Sequence, residues 1–308
     1  MKRTFAAALV AVASLAFAQL AVQALTPIAT VTFAPINEMS GIVKSRRYPG
    51  VYWVHNDSGD EARFFAIRAD GSVISPPWMV KKDASGKPEL DPAFGGIRLK
   101  VASNEDWEDV ASDGDTLYFC DVGNNGNARR DLGIYAVAEP NPEAVDSTRP
   151  LAWYPVAYED QKDFPPKVRH YDCEAVFWLK GKLYFVTKHR RPDGRVPELG
   201  ANLYVMDTWF TDRTNKLRKV DSAANLGGWV TAADISPDGK TVAVLTHFPQ
   251  ASVWLFPVPA NGDRILSQPG RQIKLSGVDQ DEGICWDGPD RLLVTNEQRQ
   301  IFRVPVAR

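Results

Sequence analysis

Three glutamates and one aspartate occur at matching places in similar segments of this 308-residue chain. Glu108, Glu174 and Glu282 each stand near the start of a segment, and Asp121 lies near the end of the segment that Glu108 begins. If these side chains converge, each pair of carboxylates about 6 Å apart costs roughly 3 kcal/mol at an effective dielectric constant of about 20. A bound cation, a neighbouring lysine or histidinium, or a shared proton must offset that cost.

Oxygen-rich sets of this kind suit hard cations, and Ca²⁺ accepts carboxylates drawn from several parts of a chain. We therefore predict that Glu108, Glu174, Glu282 and Asp121 hold a metal ion, with Ca²⁺ as the first candidate. The alternative is structural, because a carboxylate at the start of an inner strand can accept backbone N–H groups from a neighbouring sheet. The residue pattern leaves both readings open.

Three further side chains have the chemistry of catalysis. His247 and His55 are predicted to move protons, since imidazole titrates near neutral pH. Lys188 is predicted to neutralise anionic charge that develops on a substrate. The predicted substrate-binding residues are Asn56, Asp57, His189, Asn296 and Arg129.

Each of these binding segments has a simpler alternative. Residues 56–61 also read as a turn rich in Asn and Asp. Residues 121–131 also read as a loop closed by an Arg–Asp pair, and residues 188–191 as a solvated loop. The sequence does not decide among these readings.

A repeat of two short strands joined by a turn positions these residues. The five copies cover residues 39–57, 107–123, 173–189, 232–248 and 281–297. One column of the alignment holds Ser40, Glu108, Glu174, Ala233 and Glu282, and a second holds His55, Asp121, Thr187, Thr246 and Thr295. The distance along the chain between the two columns is identical in the last four copies and slightly longer in the first. This constant offset predicts a repeated β-hairpin.

Further strand-like runs follow each hairpin. Third strands are predicted at 63–69, 132–139, 202–207, 252–258 and 300–306, and fourth strands at 97–102, 151–158, 216–222 and 271–277. The last copy has no fourth strand of its own, and residues 27–35 offer one. We predict an all-β fold, a single β-propeller of five blades with four antiparallel strands each, closed by the mature N-terminal strand. The alternative is six blades, with the sixth in residues 75–94.

Propeller geometry predicts where the chemistry lies. The innermost strand of a blade starts on the face where the next strand ends, so both columns should surround one mouth of the central channel. By the same geometry all four histidines, His55, His170, His189 and His247, are expected at that mouth.

The first residues resemble an export signal. Met1–Arg3 is a positively charged start, Thr4–Ala18 is a run of small apolar residues, and cleavage is predicted after Ala18 or Ala24. A membrane anchor is the alternative, because the uncharged stretch 4–24 is long enough to span a bilayer. We expect residues 1–24 to be a signal peptide and 25–308 to be the propeller domain. The mature protein is then expected in the periplasm or outside the cell, without a membrane attachment.

Charge and motif content exclude several classes of function. The chain has 36 basic and 38 acidic residues and a formal charge of −2, which does not favour nucleic acid as a partner. No P-loop, GxGxxG, HExxH or GxSxG motif occurs, so no nucleotide or organic cofactor is indicated. Cys120, Cys173 and Cys285 lack metal-finger spacing and are expected to be buried small hydrophobes or to supply one disulfide.

Several phrases of the sequence resemble a known group of proteins. They are HNDSGD (55–60), DWEDVA (106–111), the DVGNN loop (121–125), CEAVF (173–177), YFVTKH (184–189), AADISPDGKTVAVLTH (232–247) and DEGICW (281–286). The group consists of secreted bacterial propeller proteins. More distantly, the chain is similar to gluconolactonase/regucalcin and esterase-like-phytase propellers, whose innermost strands also begin with Glu-Gly motifs.

That resemblance implies a metal ion, commonly calcium, at the channel mouth and hydrolysis of a lactone, ester or phosphoester. The calcium-dependent lactonases, however, have an Asn and an Asp where this chain has Ala233 (or the neighbouring Asp234) and His247.

Two functions therefore follow. The first is a secreted, metal-assisted hydrolase of an ester, lactone or phosphoester. The second is a non-catalytic propeller that binds a glycan, a peptide or a cell-envelope protein through the loops around Trp209–Phe210 and Trp229. A small molecule or glycan is the expected ligand, and the oligomeric state stays open.

Overall fold

The computed structural model describes residues 22–194 and 196–306. The predicted signal peptide, residues 1–24, lies outside the described residues except for its last three. Of these, Gln23 and Ala24 form a short strand that pairs in parallel with Leu275 and Ser276. Cleavage after Ala18 would keep that strand, and cleavage after Ala24 would remove it. No helix in the described part of the chain is long and apolar enough to cross a membrane.

The described residues form strands, turns and one 3₁₀ turn at Pro77–Met79, with no α-helix among them. The strands in chain order are β1 (Gln23–Ala24), β2 (Ala29–Thr30), β3 (Met39–Lys44), β4 (Tyr52–Asn56), β5 (Arg63–Ile67), β6 (Val73–Ile74), β7 (Val80–Lys82), β8 (Pro88–Leu90), β9 (Ile97–Leu99), β10 (Trp107–Ser112), β11 (Thr116–Asp121), β12 (Gly133–Ala138), β13 (Ser147–Thr148), β14 (Ala152–Tyr158), β15 (Arg169–Leu179), β16 (Lys182–Arg190), β17 (Pro197–Glu198), β18 (Ala201–Met206), β19 (Asn215–Ala223), β20 (Gly228–Ile235), β21 (Thr241–Pro249), β22 (Ser252–Pro257), β23 (Arg271–Ser276), β24 (Asp281–Gly288), β25 (Arg291–Asn296) and β26 (Gln300–Pro305).

The strands assemble into antiparallel sheets whose order follows the chain. The runs are β3-β4-β5-β9, β10-β11-β12-β14, β15-β16-β18-β19, β20-β21-β22-β23 and β24-β25-β26-β2. The second and third runs join into one larger sheet, because β14 pairs in parallel with β19. Residues 29 and 30 pair with Ile301 and Gln300, so the N-terminal part of the described chain supplies the outer strand of the last run. This all-β, propeller-like arrangement agrees with the fold class that the repeat predicted.

The first strands of the runs pack side by side. Each of β3, β10, β15, β20 and β24 contacts the next in this order, and β24 also contacts β3. In the first four runs the hairpin after the first strand contains a glycine with positive φ, as at Gly239, which has a φ of +69°. Residues 75–94, the alternative place for a further blade, contain the 3₁₀ turn and a hairpin in which β7 pairs with β8 alone.

Aromatic side chains fill the space between adjacent sheets. Phe64 of the first run packs on Phe119 of the second with ring centroids 4.7 Å apart, and Tyr118 of the second run stacks on Trp178 of the third at 5.0 Å. Burying rings of this size contributes much of the stability of a sheet interface. Cys120, Cys173 and Cys285 are buried here as free thiols, so no disulfide joins them. They pack as small hydrophobes, the first of the two predicted readings.

A β-bulge places the recurring glutamates. Trp107 pairs with Asp121 and Asp109 with Cys120, which leaves Glu108 as an extra residue between them. Glu174 lies in the same way between Cys173 and Ala175, and Glu282 between Asp281 and Gly283. A bulge turns the extra side chain out of the regular alternation of a strand.

The ladder corrects the predicted alignment in the fourth run. The bulge of β20 falls between Val230 and Ala232, so Thr231 corresponds to the glutamates and Ala233 does not. The ladder also makes Asn56 and Asn296, rather than His55 and Thr295, the counterparts of Asp121, because they pair with Met39 and Asp281 as Asp121 pairs with Trp107. The constant offset was therefore fortuitous at Ala233, because a longer hairpin hides the shift.

Candidate functional site

Two groups of carboxylates meet at Glu108. Oxygen atoms of Glu108, Asp172 and Glu174 lie within 4.8 Å of one another, and so do oxygens of Glu108, Asp57 and Asp106. We call these the inner triad and the outer triad, respectively. Every residue of the inner triad is buried, whereas Asp57 and Asp106 are half-buried. Glu108 thus links a buried acidic cluster to a more accessible one.

Burial and the repulsion between neighbouring acids raise the pKa values of Asp57, Asp106, Glu108 and Asp172. Burial, with the charges of Glu174 and Asp57 next, holds the pKa of Glu108 well above its usual range. Burial and the charge of Glu174 raise the pKa of Asp172 to about 7, although Lys188 and Arg190 lower it. Burial and the charges of Asp57 and Asp172 raise the pKa of Asp106 to about 6. The surroundings of the cluster therefore disfavour the charged forms of these carboxyls.

Lys188 supplies the nearest positive charge. Its Nζ atom lies 2.8 Å from Oε1 of Glu174, and its side chain is only 11% exposed. Burial alone would lower the pKa of this amine, but the charges of Glu174, Glu282 and Asp172 outweigh burial and raise it. Lys188 is therefore a fixed ammonium that compensates the inner triad.

Asp172 has partners of its own. Its Oδ1 atom accepts the backbone N–H of Asn124 at 2.6 Å, and its Oδ2 atom lies 3.4 Å from a guanidinium nitrogen of Arg190. Within the described residues, no carboxylate of the outer triad forms an ion pair with a lysine or an arginine. Lys188 and Arg129 act on Asp57 and Asp106, respectively, from a greater distance. The outer triad is thus the less compensated of the two groups.

A glycine leaves room for the outer triad. A Cβ atom at Gly123 would overlap Oε1 of Glu108 and Cγ of Asp106. Both separations would be far shorter than van der Waals distance. Glycine at this position is therefore required for the two carboxylates to stand where they do.

A neighbouring aspartate performs the structural role that was the alternative for the glutamates. Asp109 accepts the backbone N–H of Val176 at 2.9 Å and that of Ala233 at 3.3 Å, so it ties β10 to β15 and β20. Asp234 accepts the N–H of Trp286 at 2.8 Å and ties β20 to β24. In the described part of the chain, no backbone N–H donates to the carboxylate of Glu108, Glu174 or Glu282. Glu282 instead interacts electrostatically with Lys188 and Glu174.

The predicted metal ligand Asp121 lies outside both triads. Its Oδ1 atom lies 2.8 Å from Arg129 and accepts the backbone N–H of Asp106 at 3.2 Å. Arg129 also contacts Asp131 at 3.2 Å and donates to the carbonyl of Gly123. The structure thus brings Asp121 and Arg129 together as the ion pair that closes the loop.

His247 carries a carboxylate partner that the sequence did not indicate. Its Nδ1 atom lies 2.6 Å from Oδ1 of Asp281, which is fully buried. The imidazole itself is 28% exposed. His247 lies close enough to Glu297 to lower the pKa of that carboxyl, which burial and nearby acids raise. The pair therefore borders the acidic cluster with the imidazole toward solvent.

His55 lies in the buried core, away from solvent. Its ring is fully buried against Trp107 and Phe119, with centroids 5.6 and 6.0 Å away, and its Nδ1 atom contacts the carbonyl of Asn56. Burial lowers the pKa of His55 to about 4. The expectation that all four histidines surround the mouth therefore does not hold for His55, because the strand directs this side chain into the core.

Of the remaining predicted residues, some stabilise turns and others lie at clusters of charged or titratable side chains. Asn56 holds its turn through the carbonyl of Pro35 and the carboxylate of Asp60. Asn296 similarly holds a turn through Asp279 and Gln300. Asp57 belongs to the outer triad, and His189 is buried beside His170.

Asp106 and Asp172 were missed as site residues. Each stands two residues before a recurring glutamate, in the sequences Asp-Trp-Glu and Asp-Cys-Glu. Each glutamate is the extra residue of a β-bulge, and each aspartate lies in a triad with the glutamate that follows it. The repeated Asp-x-Glu spacing was the signal that could have identified them.

Comparisons with known proteins find distant structural similarity only. No protein-family model matches the chain, and no curated protein matches its sequence. The chain is similar to one in a crystal structure of the mitotic checkpoint complex, with a TM-score of 0.44 and 11% identity over 99% of each chain. It is also similar to a candidate 6-phosphogluconolactonase from Bacteroides uniformis, with a TM-score of 0.39, 10% identity and coverage of 86% of this chain and 84% of that one. Similarities this distant carry no inference about activity.

Proposed function

We propose that this protein is a five-bladed β-propeller that binds a divalent cation at one mouth of its channel and hydrolyses an ester, a lactone or a phosphoester there. The observation that carries the proposal is the position of Glu108, a carboxylate shared by two acidic triads without a backbone partner. The sequence also leads us to propose that the protein is exported to the periplasm or beyond the cell.

The blade number rests on the strand order. Five runs of four strands follow the chain, and their first strands contact one another in sequence. The contact between β24 and β3 and the pairing of β2 with β26 support closure by the N-terminal part of the chain. Closure removes exposed strand edges from the end of a repeat.

The outer triad is the proposed cation site. Asp57, Asp106 and Glu108 offer three carboxylates within 4.8 Å, and burial together with the neighbouring acids raises the pKa of each. Hard oxygen donors of this kind fit Ca²⁺. Lys188 already compensates Glu174, so the inner triad has less need of a second positive charge. We assign Glu174 and Glu282 to the electrostatic surroundings of the ion.

A bound divalent ion polarises a carbonyl or phosphoryl oxygen and lowers the pKa of water. The side chains of the protein would exchange protons with the substrate and stabilise its developing charge. With its proton on Nδ1, His247 would donate to Asp281, and Nε2 would be the nitrogen that exchanges a proton with substrate. The ammonium of Lys188 is fixed beside the acidic cluster and would stabilise negative charge that develops on the substrate.

A binding function without catalysis is the second candidate, and Trp229 favours it. Its half-buried ring lies 5.3 Å from Nζ of Lys188 and 4.6 Å from Cζ of Arg190, beside the acidic cluster. An aromatic ring next to polar groups suits a glycan or a peptide. Under this reading the cation would organise a binding surface.

Hydrolysis assays distinguish the two candidates. The calcium-loaded protein would be assayed with p-nitrophenyl esters, phosphoesters and lactones, beside the variants Glu108→Gln and Glu143→Gln. Glu143 is an exposed glutamate in a loop and serves as the matched control. We expect turnover of one substrate class that Glu108→Gln abolishes and Glu143→Gln retains. Absence of turnover with all three classes, or equal turnover by Glu108→Gln, would refute the hydrolase.

A further inference from the structure

Two histidines and a glutamate form a cluster separate from the carboxylate triads. Nε2 of His170 lies 2.7 Å from Oε2 of Glu198, and the rings of His170 and His189 stack with centroids 3.7 Å apart. One ligand atom from each of the three residues lies within 4.8 Å of the others. His189 follows Lys188 directly, and successive side chains of a strand point to opposite faces. The cluster therefore faces away from the inner triad.

Strand pairing holds the three residues in place. His189 and Glu198 are direct partners in the ladder between β16 and β17. Arg169 pairs with Arg190, which sets His170 next to His189 across β15 and β16. Positions fixed by a ladder are more constant than positions on a free loop, as a metal site requires.

The two ring planes are only 6° apart, so the imidazoles of His170 and His189 present parallel faces to each other.

We propose that His170, His189 and Glu198 form a second metal site, one that takes Zn²⁺ or a similar borderline transition ion. Two imidazoles and a carboxylate are a donor set that zinc accepts, with a fourth position left for water. The outer triad is composed of oxygen donors and suits Ca²⁺, so the two sites differ in selectivity. This site would join β15, β16 and β17 beside the channel mouth.

Binding requires one ring to move. A ligated ion lies in the plane of each imidazole that binds it, so two stacked rings cannot both ligate until they separate. The side chain of His170 is 24% exposed, whereas His189 is buried. His170 is therefore the ring that turns about its Cβ–Cγ bond.

The test measures Zn²⁺ binding by competition with a chromogenic chelator, on the full chain with Ca²⁺ in excess. The variants are His170→Gln, Glu198→Gln and, as the matched control, His247→Gln. Both His170 and Glu198 are partly exposed, so their substitution should leave the fold intact, and circular dichroism checks this. We expect one Zn²⁺ per chain, binding at least about tenfold weaker in the first two variants, and no change in the control.

Histidine NMR signals give a second readout. One equivalent of Zn²⁺ should shift the ring signals of His170 and His189 and leave those of His55 unchanged. The proposal is overturned if wild-type protein binds no equimolar Zn²⁺, or if His170→Gln binds as tightly as wild type. It is also overturned if His247→Gln alone loses binding, since the ion would then lie at the mouth. None of these results depends on calcium binding or hydrolysis.

Discussion

The carboxylate of Asp109 accepts the backbone N–H of Val176 at 2.9 Å, across the boundary between two sheets. The same oxygen accepts the N–H of Ala233 at 3.3 Å, so one buried side chain ties three first strands together. The preceding residue, Glu108, has no such partner among the described residues and lies in both acidic triads. Of these two adjacent acids, Asp109 therefore stabilises the fold, whereas Glu108 is available for a ligand.

Substitution of Asp109 and substitution of Glu108 are therefore expected to differ in their effect on the free energy of unfolding. Asp109→Ala removes the acceptor of three buried N–H groups, those of Val110, Val176 and Ala233, which should lower the free energy of unfolding by about 2 to 4 kcal/mol. Glu108→Gln removes one of several repelling carboxylates and should leave stability equal or higher in the presence of a chelator. Urea unfolding of both variants measures this. A loss in Glu108→Gln as large as that in Asp109→Ala would give Glu108 a structural role instead.

Adding a side chain at Gly123 tests whether the outer triad binds calcium. The Cβ of Gly123→Ala would overlap Oε1 of Glu108 and must displace the outer triad. We expect calcium affinity to fall by about tenfold or more, since cation binding depends on the spacing of the ligands. Gly126→Ala is the matched control in the same loop, because its Cβ has no heavy atom within 4 Å. Equal calcium affinity in the two variants would remove the outer triad from the site.

The raised carboxyl pKa values predict a dependence of stability on pH. Asp106 at about 6 and Asp172 at about 7 bind protons more tightly in the folded protein than in the unfolded chain. The stability they contribute is full below about pH 4 and is lost as pH rises through 6 to 7.

With a chelator present, the free energy of unfolding should therefore fall by at least about 1 kcal/mol between pH 6.5 and 8.5. Added Ca²⁺ should cancel most of that loss. The low pKa of His55 acts below pH 6.5, outside this window. Denaturant unfolding at both pH values, with and without Ca²⁺, measures the effect. A profile that is flat in chelator, or a loss that Ca²⁺ leaves unchanged, would contradict it.

The contact between Asp281 and His247 predicts a tautomer. Nδ1 of His247 should carry the proton that it donates to Asp281, and Nε2 should be free. Nitrogen-15 NMR of the imidazole measures this, with His247→Gln to assign the signal, and Asp281→Asn should change the tautomer. If the protein is a hydrolase, His247→Gln should also lower kcat by about 10² to 10⁴. A proton on Nε2 at neutral pH in the wild type would speak against a role for His247 as a base.

The all-β fold and the repeat could be predicted because strand, turn and spacing recur at regular intervals. Glu108, Glu174 and Glu282 were identified in the same way, since each keeps its place relative to the next strand. Thr231 was missed because a longer hairpin shifts the bulge while Ala233 preserves the spacing.

The partners of the site could not be predicted in the same way. Whether Asp121 faces a metal or Arg129 depends on the path of the loop, and whether His55 faces the channel or Trp107 depends on which side of the strand it occupies. A change of one residue in register reverses the direction of a side chain on a strand. Spacing along the chain does not give register to that accuracy.

Titration of chelator-treated protein with Ca²⁺ in a calorimeter tests the central claim most directly. Wild type and the control Glu143→Gln should bind one ion per chain with equal affinity, and Glu108→Gln should bind at least about tenfold more weakly. No heat of binding up to millimolar Ca²⁺ in the wild type, or equal affinity in Glu108→Gln, would contradict a cation site built on Glu108.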